Sequence, residues 1–447
     1  MKLRLSKFIK LTPSRVLSGG FALIICLGTF LLYLPISLKS GNTISFIDAL
    51  FTATSALCVT GLIVVDTGTH FSVFGQIILL LLIQAGGVGF MTVATWFAIA
   101  LKKQVSLSDR LILTETLNQN TMEGIVRLIR KVLIYSLTIE SIAAVLFLIR
   151  WSQEMPLGKA VYFSIFHSVS IFNNAGFELM GGFTNLTPYI DDYFINIVSM
   201  ALVLLGGIGF IVISDIMDFP KTRKLSIHSK VVLVTTAILT AISAVCIFIF
   251  EYANTNTLGN HSWTTKIVAS LFQSITLRSA GVNTIDIANL HEATQFLMII
   301  MMFIGAAPGS TGGGIKLTTF AVLVGALLSM IRGKEDVVMF RHRLPQKDIY
   351  KAVTLTVIAV FIVVTFTMIL SALQGQDFLM ILFETASAFG TVGLSMGLTQ
   401  HLTFTGKIII ILLMFTGRIG LLTLAFSLLP KHKKDLYRYP EGKITIG

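Results

Sequence analysis

Four short stretches of this chain share one pattern: a small residue, a glycine and an apolar residue. They are Val59-Thr60-Gly61-Leu62, Asn174-Ala175-Gly176-Phe177, Ser279-Ala280-Gly281-Val282 and Thr391-Val392-Gly393-Leu394. Gly61, Gly176, Gly281 and Gly393 are spaced by 115, 105 and 112 positions, a near-even period that marks four copies of one unit. The chemistry on offer is that of the backbone. A path lined by carbonyl oxygens replaces the hydration shell of an ion, as in potassium channel filters built from four TVGYG loops. Turning the oxygens inward needs backbone angles that glycine reaches at no steric cost. Thr391-Val392-Gly393 matches the first three letters of that motif. A lone small-x-Gly triplet says little, but four copies in matched contexts can surround one axis.

Each loop needs a segment on either side to hold it. The chain has 447 residues, 54% hydrophobic and 13% charged, with a mean hydropathy of +0.84. Soluble domains carry about 25% charge, so the composition is that of an integral membrane protein. Every loop is flanked in the same order by a long apolar run, a shorter one, the loop, and a second long run. The runs are 16–38, 43–57 and 71–101; then 132–149, 160–171 and 193–214; then 231–250, 265–277 and 293–331; then 352–373, 378–389 and 408–429. A full crossing takes about 20 apolar residues. The shorter runs read as re-entrant pore helices, tolerated only where protein or water covers their backbone. The expected fold is therefore all-α and polytopic. It has four membrane-pore-membrane repeats around a pseudo-four-fold pore, with eight full spans and four re-entrant helices. Repeats cover 16–101, 132–214, 231–331 and 352–429, flanked by termini 1–15 and 430–447.

Lys and Arg placement predicts the orientation. Of 34 basic residues, 26 fall in the ends and the even-numbered connections, six on the opposite side, and Lys316 and Arg418 inside spans. Both termini are then cytoplasmic, in the cell membrane, and all four glycine loops open outward. Trp151 and Trp263 fall near the predicted outer interface, where indoles sit. The net charge of +12 is spread out rather than gathered in a patch, which argues against a nucleic-acid partner. Cys26, Cys58 and Cys246 all lie in apolar segments and imply no disulfide framework.

A second cluster lies in the third repeat. As one helix, 293–331 would be about 58 Å long, roughly twice the hydrocarbon thickness. Its middle, Gly305-Ala306-Ala307-Pro308-Gly309-Ser310-Thr311-Gly312-Gly313-Gly314, cannot stay helical. The span is expected to break there into two halves with a loop at membrane depth, running on to Lys316, as a gate below the glycine loops. The other second spans, carrying Gly86-Gly87-Val88-Gly89-Phe90, Gly206-Gly207-Ile208-Gly209-Phe210 and Thr416-Gly417-Arg418-Ile419-Gly420, are read as continuous. Alignment of those echoes puts Arg418 level with the loop, where it can donate to loop carbonyls and repel cations. Glu140 reads as a structural partner inside the bundle, because a charge within a span needs one. Enzyme readings find no support. The eight histidines show no metal spacing such as H-E-x-x-H, and His167 reads as packed against its neighbours. Gly309 to Lys316 lacks the Gly-Lys-Ser/Thr ending of a phosphate loop. A polytopic membrane enzyme or scaffold remains the alternative class, and the four-fold recurrence argues against it.

With these motifs in place the whole chain resembles the Trk/Ktr/HKT superfamily of potassium transporters. The resemblance is carried by four span-pore-span repeats, one glycine per loop and Asn173-Asn174-Ala175-Gly176-Phe177 in the second. Asp66-Thr67-Gly68-Thr69 and Gly417-Arg418-Ile419-Gly420 are similar to KtrB-type membrane subunits. The resemblance implies potassium uptake. It also implies that the four loops form the selectivity filter, with K+ at their carbonyls, and that Gly305–Lys316 and Arg418 form an intramembrane gate. In plant-type members a serine at the first filter position goes with sodium selectivity, and Gly61 is the potassium-selective form. No covalent cofactor is implied. K+ is the substrate, Na+ permeation in the Trk/HKT manner stays open, and lipid surrounds the chain. A homodimer and a separate cytoplasmic RCK-type ring of the KtrA/KtrC-like kind are implied as partners, with nucleotide on the ring, because no strand with G-x-G-x-x-G occurs here. Basic stretches 221–230 and 332–351 are the candidate docking surface.

Overall fold

The computed structural model describes residues 13–89, 91–92, 95, 111–113, 125–428 and 445. Most of the two termini, of the first repeat beyond Gly89 and of the 102–131 connection lies outside the described residues.

Four helices are long and apolar enough to cross a membrane: α1 (Pro13–Tyr33), α5 (Ile125–Trp151), α9 (Ile227–Glu251) and α13 (Gln346–Gln374). Each is followed by a shorter apolar helix, respectively α2 (Phe46–Leu57), α6 (Leu157–Phe172), α10 (Trp263–Thr276) and α14 (Phe378–Gly390). These match the expected half-spans to within a few residues. After each glycine loop comes a third helix: α4 (Val73–Val88), α7 (Tyr193–Gly207), α11 (Glu292–Ile304) and α15 (Phe404–Ile419). The one-turn helix α3 (Thr67–His70) precedes α4. Their starts are set by local chemistry. Ser72, Asp192 and Thr403 each accept a hydrogen bond from a first-turn amide of α4, α7 and α15, satisfying a donor that the helix itself leaves open.

The expectation of continuous second spans in repeats one, two and four is corrected by the structure. Each breaks at its last echo glycine. Gly89 (φ 90°, ψ 125°), Gly209 (92°, 142°) and Gly420 (88°, 142°) share one backbone conformation that side-chain-bearing residues do not adopt. Beyond two of the breaks run α8 (Phe210–Thr222) and α16 (Leu421–Leu428), and α7 and α8 meet at 99°. The third repeat breaks over a longer loop before α12 (Leu317–Ile331). All four third segments are therefore interrupted, and length in the third repeat was only the most visible sign of it. An antiparallel hairpin, β1 (Val338–Met339) with β2 (His342–Arg343), follows α12.

Packing repeats from unit to unit. The third helix of each unit lies on the short helix of the next: α4 on α6, α7 on α10, α11 on α14, and α15 of the last unit on α2 of the first. An ion pair of 2.5 Å between Lys407 and Asp48 ties that last contact. The short helices fill the centre with Phe51, Phe166, Phe272 and Phe383, all buried. The long helices turn Leu23, Phe30, Ile142, Val245 and Phe361 outward, a belt of exposed apolar side chains that suits lipid and not water. Trp263 is exposed, but Trp151 is not at a lipid interface: it is fully buried, stacked on Phe147 with ring centroids 5.0 Å apart.

Candidate ion path

The four glycine loops share one backbone path. The first residue of each has positive φ (Val59 56°, Asn174 58°, Ser279 70°, Thr391 48°), and so does the glycine two positions on (Gly61 90°, Gly176 71°, Gly281 70°, Gly393 90°). A non-glycine residue in this region is strained and persists only when its surroundings hold it. Here the hold comes from the end of the preceding short helix. Thr60 N–H donates to Ser55 O (2.8 Å), Ala175 N–H to Ser170 O (2.8 Å), Ala280 N–H to Thr276 O (3.2 Å) and Val392 N–H to Ser387 O (2.8 Å). The side chains add to this. Ser55 Oγ and Ser387 Oγ accept from the amides of Gly61 and Gly393, both at 3.1 Å. Ser170 and Thr276 hydroxyls donate to the carbonyls of Phe177 (2.6 Å) and Val282 (2.5 Å). These four hydroxyl residues escaped the sequence reading, though a signal existed: Ser55, Ser170 and Ser387 each stand six positions before the glycine.

The loops also meet. A β-carbon on Gly61 would strike the Ala175 carbonyl oxygen and lie 3.1 Å from Gly176 Cα. One on Gly176 would lie 3.0 Å from Gly281 Cα, and one on Gly281 would lie 2.6 Å from Val392 O and 3.3 Å from Gly393 Cα. One on Gly393 would strike the Thr60 carbonyl oxygen and lie 3.0 Å from Gly61 Cα. Residues more than a hundred positions apart thus close a ring, glycine against glycine. With the amides bonded backwards, most of the loop carbonyls remain free. Among the described residues, hydrogen bonds reach only those of Gly281 (from Asn185 Nδ2, 3.1 Å) and Thr391 (from Ser279 Oγ, 2.6 Å). Such a cluster of oxygens can hold a cation and little else. Asp66 braces the rim, accepting from the amides of Thr69 (2.7 Å) and Phe183 (3.0 Å) and so joining the first loop region to the second.

Gly305 to Lys316 packs directly against this ring. Gly305, at φ 66° and ψ −162°, opens the turn. Gly313 N–H donates to Ser279 Oγ (3.2 Å), the same hydroxyl that donates to Thr391 O. The rest of the loop is bonded to carbonyls that the broken spans leave open: Ala307 N–H to Gly207 O (3.1 Å), Thr311 N–H to Gly206 O (3.2 Å) and Gly314 N–H to Gly417 O (3.3 Å). Phe210 N–H returns a bond to Gly309 O at 2.9 Å. Ser310 Oγ donates to Ala307 O at 2.6 Å, within the Pro308 turn. Lys316 Nζ donates to Gly312 O at 2.7 Å.

The Arg418 guanidinium bridges two elements. It donates to Thr311 O of the loop, and to Gly86 O and Gly87 O at the break after α4. Beyond Gly86, Gln84 and Asn173 both donate to the buried Glu140 carboxylate, at 3.3 and 3.0 Å. Asn173 is the residue before the second glycine loop, so Glu140 has partners, as a buried charge must. A cavity of about 620 Å³ lies against the loop, lined by Gly86–Gly89, Pro308–Ser310, Lys316 and Arg418 among others. His167 is packed between Trp151 and Phe163, with Nδ1 2.8 Å from Phe163 O, and stands apart from the ring.

Comparison with known proteins adds four findings. The chain is 44% identical to the Ktr system potassium uptake protein B of Bacillus subtilis, over 99% of this chain and 98% of that one. It is 40% identical to the potassium/sodium uptake protein NtpJ of Enterococcus hirae, over 100% and 99%. Its fold matches the crystal structure of the potassium transporter TrkH from Vibrio parahaemolyticus with a TM-score of 0.71, at 20% identity, covering 96% of this chain and 86% of that one. The family model for TrkH cation transport proteins matches residues 22–437. The chain, with its glycine ring and four interrupted third segments, belongs to the TrkH family of cation transport proteins.

Proposed function

We propose that this chain carries potassium into the cell across the membrane, as the ion-conducting subunit of a Ktr-type system. The observation that carries the reading is the closed ring of Gly61, Gly176, Gly281 and Gly393, whose loops leave most of their carbonyls free. Eight spans and four re-entrant helices surround a pseudo-four-fold pore, and the packing of each third helix on the next short helix supports it. A potassium ion entering from outside sheds water against the carbonyls of Val59–Gly61, Asn174–Gly176, Ser279–Gly281 and Thr391–Gly393, whose spacing the back-bonded amides hold. The ion then meets the Gly305–Gly314 loop, where Lys316 and Arg418 place positive charge in a site of low dielectric and oppose its passage. Retraction of the loop toward α12 opens the way.

Both termini face the cytoplasm in this reading, in keeping with the charge distribution. A homodimer and a cytoplasmic nucleotide-binding ring docked on 221–230 and 332–351 complete the system. The names of the Ktr relatives, which denote parts of a system, support a partner subunit. Sodium permeation is a second reading, favoured by the 40% identical relative named for both ions. Growth of an uptake-deficient host on limiting potassium, with Rb+ and Na+ flux in proteoliposomes, tests both. Rescue with flux of Rb+ far above Na+ is expected. Absence of any alkali-cation flux from folded protein, or parental selectivity in serine variants of all four glycines, would refute the filter reading.

A further inference from the structure

A groove of about 360 Å³ lies away from the ion path, where α9, α12 and the β-hairpin meet. Val234 and Ile238 of α9 face Val324 and Leu328 of α12 across it, and Val338 and Phe340 of the hairpin close one end. All six are exposed, so nothing among the described residues covers this apolar surface. Arg332 and Lys334 line the same end. The backbone fixes them there. At the end of α12, Arg332 N–H donates to Leu328 O (3.2 Å), Gly333 N–H to Met330 O (3.0 Å) and Lys334 N–H to Ser329 O (2.9 Å), with Gly333 left-handed at φ 64°. Among the described residues no carboxylate pairs with either cation, whereas nearby Arg343 is held by Asp336 at 2.8 Å.

Both wall helices carry further exposed apolar side chains, Val245 and Ile249 on α9 and Leu327 and Ile331 on α12, so the groove lies in a lipid-facing surface. An acyl chain satisfies the walls; a peptide does not, because its amides would find only Thr235 and Ser329 as neutral polar partners. The two cations stand just beyond the apolar residues of α12, which ends at Ile331, and basic pockets at the ends of membrane helices select anionic headgroups. We propose that this groove binds an anionic glycerophospholipid of the surrounding bilayer, with an acyl chain between α9 and α12 and its phosphate against Arg332 and Lys334. Because α12 starts at Leu317, directly after the Gly305–Lys316 loop, the bound lipid braces against α9 the helix that carries that loop.

The test uses the full chain in nanodiscs of phosphatidylcholine with a minor share of phosphatidylglycerol, with retained lipid read by native mass spectrometry. The parent should keep phosphatidylglycerol in preference. Taking about fivefold for each basic residue near a headgroup, Arg332→Gln with Lys334→Gln should weaken retention about thirtyfold. Val234→Trp fills the groove without touching charge and should abolish retention. Arg341→Gln with Lys347→Gln removes two exposed cations outside the groove and should leave phosphatidylglycerol retention at the parent level. Equal retention by the parent and the Arg332/Lys334 variant would overturn the site. So would an equal loss in the Arg341/Lys347 variant, which would show diffuse attraction, or retention undiminished by Val234→Trp. Displacement of the lipid by millimolar inorganic phosphate would show a headgroup-only anion site and also overturn it. The readout is binding, so it stands or falls apart from the potassium reading.

Discussion

Arg418→Gln tests the gate most directly. Of the guanidinium's acceptors, only Thr311 O is on the loop; Gly86 O and Gly87 O belong to the break after α4. Opening the loop therefore breaks one charge-assisted hydrogen bond to Arg418. Such a bond is worth about 1.5–3 kcal/mol, and every 1.4 kcal/mol is tenfold in a population. Removing it should raise the open fraction by about 10- to 150-fold, up to the ceiling at which the loop no longer closes. Loss of the fixed charge acts in the same direction by lowering the barrier to a cation. Gln also leaves one or more buried carbonyls unsatisfied, at about 1–3 kcal/mol each, so thermal unfolding must show the variant folded. The assay is Rb+ uptake into proteoliposomes at matched protein. Arg418→Lys separates the two contributions: it keeps a charge but, as a single point donor, cannot span the loop and the α4 break. Flux raised in Gln and Lys alike assigns the gate to the bridge; flux raised in Gln alone assigns it to charge. Flux by Arg418→Gln within twofold of the parent, from folded protein, would refute both.

Three further outcomes are expected. Gly61→Ser, Gly176→Ser, Gly281→Ser and Gly393→Ser each place a β-carbon against a neighbouring loop at positive φ, a strain of about 1–3 kcal/mol, and should raise Na+ relative to Rb+ flux; four serine variants with parental selectivity would make the loops structural turns. Ser387→Ala removes the acceptor for Gly393 N–H and should lower Rb+ over Na+ selectivity by up to about fivefold, from a net hydrogen bond of about 1 kcal/mol, with little change in unfolding temperature; parental selectivity would count against it. Deleting Pro308–Gly313 should raise flux and free it from the cytoplasmic partner while selectivity stays with the ring, and flux at the parent level that still needs the partner would mark the loop as a kink.

Much of the architecture could be read from the chain alone, because its signals are local. Composition announced a membrane protein. Apolar runs located the four long and four short helices, as a helix that must cross or enter lipid cannot hide its hydropathy. The period of Gly61, Gly176, Gly281 and Gly393 announced four units. What the sequence could not show is how these units meet. That the glycines close a ring depends on contacts between residues more than 100 positions apart. The breaks at Gly89, Gly209 and Gly420 were missed for a related reason. One glycine inside a helix costs only about 1 kcal/mol relative to alanine and is often tolerated, so a packing glycine and a broken span look alike until the neighbours are seen. Here the neighbour is the Gly305–Gly314 loop, whose amides take up the carbonyls opened at Gly206, Gly207 and Gly417. Arg418 could be placed at the right depth by alignment, but its acceptors on two separate elements could not. Trp151 was misjudged because an indole suits a membrane interface and a packed core equally well, and only Phe147 and His167 closing over it decide for the core. Local propensity wrote the helices; satisfaction of buried backbone groups, which is a property of the assembled fold, chose where they stop and what fills the gaps.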